Sequence, residues 1–361
     1  MEKYYTRACN FYYGSSSRYL IKKKLALPLC GNNNFAFDKV EIFIRKKNRI
    51  SSKVISIKKI SFLKKILKKK VIKDIKNITQ KRKVFANPTI MGILNMTPDS
   101  FSDGGQFNKL SKASRQISLM IESGAKIIDV GGESTRPGSK TILPSLEWKR
   151  IKNVIKNFKK KYPNTLLSVD TRKSELMNKA VKCKVDIIND VSGFKYDIKS
   201  LNEIQNKKVW KVVHHMQGTP NTMQINPKYK HVLLDIYDFF EDTIKNKIKN
   251  NKHSNKIILD PGIGFGKNLK HNLMLMSKIS IFHSLGFPIL IGTSRKRFIN
   301  QISGKYDTKE RIGGTLSSII YSFSQGVKIF RVHNVEEVKQ GLLVFENLLN
   351  KWKKNILEQM A

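Results

Sequence analysis

Eight short β-branched runs between residues 89 and 332 are each followed by a side chain that can carry charge or hydrogen-bond a planar ring: Asn95, Glu133 with Arg136, Asp170, Asn189, His215, Asp260, Lys296, and Arg331 with His333. Asp170, Asn189, Asp260 and Lys296 together offer acceptors, an amide and a cationic donor. A heterocycle with an aminopyrimidinone edge needs that mixture, because every ring N–H and carbonyl taken out of water must find a partner. The stretch GGESTRPG (131–138) adds free backbone N–H groups, the hydroxyls of Ser134 and Thr135 and the Arg136 guanidinium, a cradle suited to an oxyanion. Arg331 and His333 leave the last run on one face, where they can hold an anionic leaving group or its metal. Each residue taken singly has a plainer explanation: a strand-end Asp usually caps the next turn, Asp260 and Lys296 can form a structural ion pair, and an isolated His is most often a satisfied rim residue. Capping does not account for all of them recurring in register.

The elements needed to bring these groups together are also legible. Candidate strands are Thr89–Asn95, Lys126–Val130, Leu166–Val169, Asp186–Asn189, Val209–His214, Lys256–Leu259, Pro288–Gly292 and Val327–Val332. Helical patterns lie between them, such as 146–160 with Ile151, Val154, Ile155 and Phe158 on one face, and 229–248 with Val232, Ile236, Phe239 and Phe240. Eight alternating units predict an α/β chain closed into a (β/α)8 TIM barrel, in which the loops after the strands converge on one mouth. The first such loop, 95–105, is long, polar and glycine-ended, as a mobile lid would be. The run DPGIGFGK (260–267) has the glycines of a phosphate loop but not the Lys-Ser/Thr ending of a nucleotide P-loop.

Residues 1–85 have a different composition, with 24 Lys and Arg against 4 Asp and Glu, a net +20 of the chain's +42 over 361 residues. Strand-like runs occur at 40–44 and 54–60, and Leu63, Leu67, Val71, Ile75 and Ile78 recur at helical spacing among lysines. This basic N-terminal extension reads as a small subdomain packed on the barrel, with a tail or an anchor for anionic membrane or nucleic acid as alternatives; residues 86–361 form the barrel. Since every mouth motif lies beyond Phe85, the extension is expected to be dispensable for chemistry. The charge by itself suits polyanion binding, but lysines spread over every tolerant position also fit compositional drift. Cys9, Cys30 and Cys183 make neither a CxxC pair nor an even framework, which supports neither a disulfide scaffold nor a structural zinc site. The start of the chain lacks the basic and apolar regions of an export signal, so a cytoplasmic protein is expected.

The ordered set NMTPDSFSDGG (95–105), DVGGESTRPG (129–138), SVDTRK (168–173), INDVSG (188–193), HMQGTP (215–220), DPGIGFGK (260–267), GTSRK (292–296) and RVH (331–333) resembles the dihydropteroate synthases, pterin-binding (β/α)8 barrels. The resemblance spans about residues 89–350. It implies condensation of 6-hydroxymethyl-7,8-dihydropterin diphosphate with p-aminobenzoate, a homodimer through helices near the C-terminal units, and Mg²⁺ as cofactor. By motif, Asp170, Asn189, Asp260 and Lys296 would hold the pterin. Asn95, Thr135, Arg136, Arg331 and His333 would surround the diphosphate, with Asn95 on the Mg²⁺. Phe101, Pro137 and Phe265 would wall the p-aminobenzoate slot, and Asp99 or Asp103 would position the amine. Arg297, at the start of the helix after strand seven, is a candidate for the p-aminobenzoate carboxylate. Met96, His214, Arg297 and Asn334 depart mildly from the family pattern. A pterin-dependent methyltransferase would share the pterin clamp but needs no STRPG or RVH; a nucleic-acid-binding protein would need no such mouth.

Overall fold

The structure, a computed structural model, describes residues 2–47, 49–97, 106–136, 138–248, 253–304 and 306–351. Strands β1 (Glu2–Tyr13), β2 (Leu27–Leu29), β3 (Asn32–Lys46) and β4 (Arg49–Ser56) form an antiparallel sheet in which β1 pairs along one edge of β3 while β2 and β4 share the other. Helix α1 (Gly14–Lys22) connects β1 to β2, and α2 (Lys65–Thr79) buries Leu67, Val71 and Ile78 on its inner face. A barrel of parallel strands follows: β5 (Thr89–Asn95), β6 (Ile127–Gly131), β7 (Leu166–Asp170), β8 (Ile187–Asp190), β9 (Trp210–His214), β10 (Ile257–Asp260), β11 (Leu290–Ile291) and β12 (Ile329–Val332). Closure comes from the parallel bridge Leu259 to Ile289, where Leu259 N–H donates to the Pro288 carbonyl at 2.9 Å.

Outside the strands run α3 (Gln106–Glu122), α4 (Pro144–Lys161), α5 (Ser174–Lys182), α6 (Ser200–Ile204), α7 (Val232–Asp242), α8 (Leu269–Ser277), α9 (Arg297–Ser303), α10 (Ile312–Ser324) and α11 (Val335–Lys351). Their limits follow local chemistry. Pro144 opens α4 where no N–H is needed, Glu147 lies in its first turn, and Lys159 to Lys161 lie against the C-terminal end of its dipole. Asn268 and His271 close a reciprocal cap on α8.

Alternation along the strands builds the barrel interior in layers. The floor is apolar: Met91, Ile127, Ile187, Val212, Ile258, Leu290 and Ile329 pack together with Phe85. Two residues further along, the same inward faces carry Asp129, Asn189, His214, Asp260 and Arg331. The apolar floor thus supports a polar ring at the mouth.

The eight barrel strands fall within one or two residues of the expected runs, with β11 reduced to Leu290–Ile291. The N-terminal sheet is more extensive than the two expected runs: β1 and β2 were not anticipated, and the last four residues of the 54–60 run belong instead to a 3-10 turn, Ile57–Phe62. This sheet shares one continuous core with the barrel helices. Tyr5 meets Tyr237 edge-on at 5.1 Å, and Phe35 meets Phe323 at 5.2 Å. Arg45 pairs with Asp235 at 2.6 Å and Asp238 at 2.9 Å, while Lys3 reaches Asp238 and Glu241. Part of the segment's positive charge is therefore neutralised by α7, whereas Ile66, Lys69, Ile72, Lys73 and Lys76 on α2 face outward. Among the described residues no helix is long and apolar enough to cross a membrane.

Candidate active site

A cavity of about 680 Å³ opens at the C-terminal ends of the barrel strands. Of the described residues expected at the mouth, all but Glu133 and His215 line it: Asn95, Thr135, Arg136, Asp170, Asn189, Asp260, Phe265, Lys296, Arg297, Arg331 and His333. Asp99, Phe101, Asp103 and Pro137 lie outside the described residues.

The centre of the cavity is an ion-pair network that the sequence reading did not anticipate. Arg331 donates from Nε to Asp129 at 2.6 Å and from Nη2 to Asp170 at 2.8 Å, and Asn189 donates its amide to the same Asp129 oxygen at 3.1 Å. Burial works against the charge of Arg331, yet Asp129 and Asp170 hold the guanidinium above its usual range. Burial also pushes Asp170 upward, against the pull of Arg331. Asp129 was overlooked because it stands mid-strand in Ile127-Ile128-Asp129-Val130, among residues that read as core. The usable signal was an acid at an inward position of an apolar strand, on the same parity as Gly131.

Around this network the floor of the ring site is assembled. Asp260 accepts from Gly262 N–H at 2.8 Å, and burial raises its carboxyl to about 6. Lys296 lies over the Phe265 ring at 3.8 Å, and burial, helped by Arg331, lowers its ammonium to about 7. His214 meets the edge of Phe265 at 4.7 Å while its Nδ1 bonds the Val191 carbonyl at 2.9 Å. His333 shares a 3.0 Å hydrogen bond with Ser294 and is held neutral, with burial bringing it down to about 3. His333 thus lines the cavity as a neutral hydrogen-bonding group, beside the guanidinium groups of Arg136 and Arg331.

The alternating glycines of DPGIGFGK have a steric cause. Gly262 has φ +68°, and a Cβ there would fall 2.0 Å from the His215 carbonyl; Gly264 has φ +83° and passes close to the Lys296 stem. The loop is compressed against the neighbouring strand end, a conformation that only glycine adopts without strain. Lys267 then folds inward to the carbonyls of Phe265 at 2.8 Å and His215 at 3.3 Å, so it ties the loop rather than cradling a nucleotide phosphate.

Two rim residues of the sequence reading are placed differently. Strand parity sends His214, not His215, into the cavity; His215 packs against Phe239 and bonds Lys267. Glu133 turns away into a buried network with Arg172 at 3.0 Å and Lys173 at 2.9 Å, and its Oε1 accepts from Ile142 N–H. It braces the second loop.

Comparison with known proteins decides the family. Residues 91–333 match the model of the pterin binding enzymes. Dihydropteroate synthase of Escherichia coli K12 is 39% identical over 265 residues, covering 73% of this chain and 93% of its own length. The chain belongs to the dihydropteroate synthase family of pterin-binding enzymes. The Bacillus subtilis dihydropteroate synthase is 38% identical over 262 residues, covering 73% of this chain and 89% of its own. Among solved structures, the Yersinia pestis synthase in complex with a sulfonamide superposes with TM-score 0.69 at 35% identity, covering 73% of this chain and 95% of that one. The Xanthomonas albilineans synthase with 7,8-dihydropteroate does so with TM-score 0.66 at 29% identity, covering 73% and 95%. This family membership makes the chain a transferase. The family match starts in β5, so the N-terminal sheet lies outside it.

Proposed function

We infer that this cavity joins the methylene carbon of 6-hydroxymethyl-7,8-dihydropterin diphosphate to the amino group of p-aminobenzoate, giving 7,8-dihydropteroate and diphosphate in folate biosynthesis. The observation that carries this reading is that Asp170, Asn189, Asp260 and Lys296 line one cavity together with Arg136, Arg331 and His333. The C–O bond to diphosphate breaks as the C–N bond forms, and the amine proton leaves with solvent or product. Charge therefore develops on the pterin methylene and on the departing group. The buried carboxylates at Asp170 and Asp260 favour the first, and the guanidinium groups and His333 the second. No nucleophilic side chain is required. Incubating the protein with the pterin diphosphate, labelled p-aminobenzoate and Mg²⁺ should yield labelled dihydropteroate; none from folded protein would sink the assignment.

Among the described residues no three His, Cys, Asp or Glu groups gather to hold a metal. A magnesium ion that arrives on diphosphate needs few protein ligands, and the Asn95 side chain at the end of β5 offers the oxygen donor it prefers. When bound there, Mg²⁺ would offset the charge of the leaving group. Arg297 begins α9 at the cavity wall with its side chain exposed, and we assign it the p-aminobenzoate carboxylate; Phe265 and Lys296 flank the same slot. Arg297→Ala should raise KM for p-aminobenzoate about tenfold more than KM for the pterin diphosphate, as expected for a lost charge-assisted pair. Equal effects on both in steady-state assays would count against it.

A pH dependence follows from Asp260. Its carboxylate must be ionised to accept the ring N–H groups, and in the free site it takes up a proton near pH 6. Affinity for a pterin analogue should therefore weaken roughly tenfold per pH unit below 6, while the separate loss of the Lys296 proton near 7 changes it on the alkaline side. Calorimetry at pH 5, 6 and 8 tests this. Asp260→Asn should bind weakly at every pH, and a wild-type slope retained in that variant would assign the proton elsewhere.

We propose a homodimer in the cytoplasm. The exposed Tyr321 on α10, with Leu343, Val344 and Leu348 on α11, supports association through this face, and Cys9, Cys30 and Cys183 are all free thiols. Light scattering should give twice the chain mass, and Leu348→Glu should lower it. Residues 1–85 serve stability and not chemistry in this reading.

A further inference from the structure

At the opposite end of the barrel, a second cavity of about 310 Å³ lies between the N-terminal sheet and the starts of β11 and β12. Its walls come from 30–34, from the linker 81–87, and from Pro288, Ile289 and Lys328. The charge of this lining has one sign. Lys81, Arg82 and Lys328 contribute three cations, Asn32, Asn33, Asn34 and Asn87 contribute amides, and no carboxylate takes part.

Lys328 is the informative group. It is 7% exposed, and its ammonium lies over the rings of Phe35 and Phe323 at 4.6 and 4.4 Å without an ion-pair or hydrogen-bond partner among the described residues. Each ring returns about 0.5–2 kcal/mol, whereas withdrawing an ammonium from water costs several. Burial lowers its pKa to about 8 in consequence. Arg82 donates from Nη1 and Nη2 to the carbonyls of Gly286 and Asn77, and its guanidinium lies beside the Cys30 thiol with no carboxylate paired to it among the described residues. His283 adds no negative charge, since it bonds the Gln325 carbonyl at 2.9 Å and the Cys30 thiol at 3.4 Å and is neutral.

We propose that this basal cavity binds a small oxyanion, the phosphate or carboxylate group of a metabolite-sized ligand, between Lys328 and Arg82. An anion there would add counter-charge to Arg82 and to Lys328, which the Glu346 carboxylate offsets from beyond ion-pair distance, and it would clamp the N-terminal sheet to the barrel. The site is distinct from the mouth, because it sits at the N-terminal ends of the strands and shares none of the mouth's lining residues.

Calorimetric titration of the full-length protein with inorganic phosphate, and separately with citrate, tests the proposal and distinguishes the two anion sources. Lys328→Met keeps the side-chain stem in its aromatic sandwich and should weaken the basal binding event at least about tenfold while leaving turnover unchanged. His333→Ala should leave that event intact, which separates it from anion binding at the mouth. Isotherms identical between wild type and Lys328→Met for both anions would overturn the proposal. Wild-type crystals grown with selenate give a reading independent of any variant. An anomalous peak in contact with Lys328 is expected, and a basal cavity empty while the mouth is filled would overturn it.

Discussion

Asp129→Ala is expected to reduce kcat/KM by about 10²- to 10³-fold, because it removes the residue that joins Arg331 to Asn189, the groups we assign to the leaving group and to the pterin. Asp129 accepts from Arg331 at 2.6 Å and from Asn189 at 3.1 Å through one oxygen, and its carboxylate is fully buried. Breaking a buried ion pair by deleting one partner costs about 3–5 kcal/mol, and each 1.36 kcal/mol is a factor of ten in rate. Arg331 would then be held by Asp170 alone and would draw that carboxylate away from the pterin. Asp129→Asn keeps the shape and one acceptor, so it should retain the fold with an intermediate loss. Steady-state kinetics in both substrates and thermal melting check this. A kcat/KM within about threefold of wild type for Asp129→Asn, in a variant of unchanged stability, would reduce Asp129 to packing.

A chain beginning at Lys83 should lose most of its stability while retaining turnover per folded molecule. Tyr5, Phe37 and Ile42 are fully buried, and the aromatic pairs Tyr5–Tyr237 and Phe35–Phe323 cross from the N-terminal sheet to α7 and α10. Deleting the sheet exposes that barrel surface to water. Phe37→Ala alone should cost about 3–5 kcal/mol and lower Tm by roughly 5–10 °C. Loss of the whole segment removes several such residues against a net stability of about 5–15 kcal/mol, so the shortened chain should aggregate or melt far earlier. Soluble fraction, Tm and turnover per folded molecule are the measurements. A shortened chain that stays folded yet loses turnover would show that the sheet contributes to the site.

Most of the barrel was legible because its strands are short β-branched runs and its helices carry apolar faces such as Ile151, Val154, Ile155 and Phe158; those periodicities are local. The mouth residues were legible for a related reason, since each sits just past a strand end and in a glycine-bearing motif. Strand β1 was not, because Tyr5, Thr6, Ala8 and Cys9 are all buried and no alternation marks the strand. Its two faces meet α2 and the barrel helices, which the local pattern cannot announce.

By itself, then, the sequence determined the eight βα units, the order of the mouth groups and the family. Tertiary structure alone decided that Asp129 joins Arg331 to Asn189, that His214 rather than His215 faces the cavity, and that Glu133 braces a loop instead of lining the site. It also decided that the basic N-terminal segment covers barrel helices and leaves Lys328 buried without an ion-pair partner among the described residues. Each of these depends on which faces of distant elements meet. Periodicity and motif spacing report the faces an element has, and only packing selects their partners.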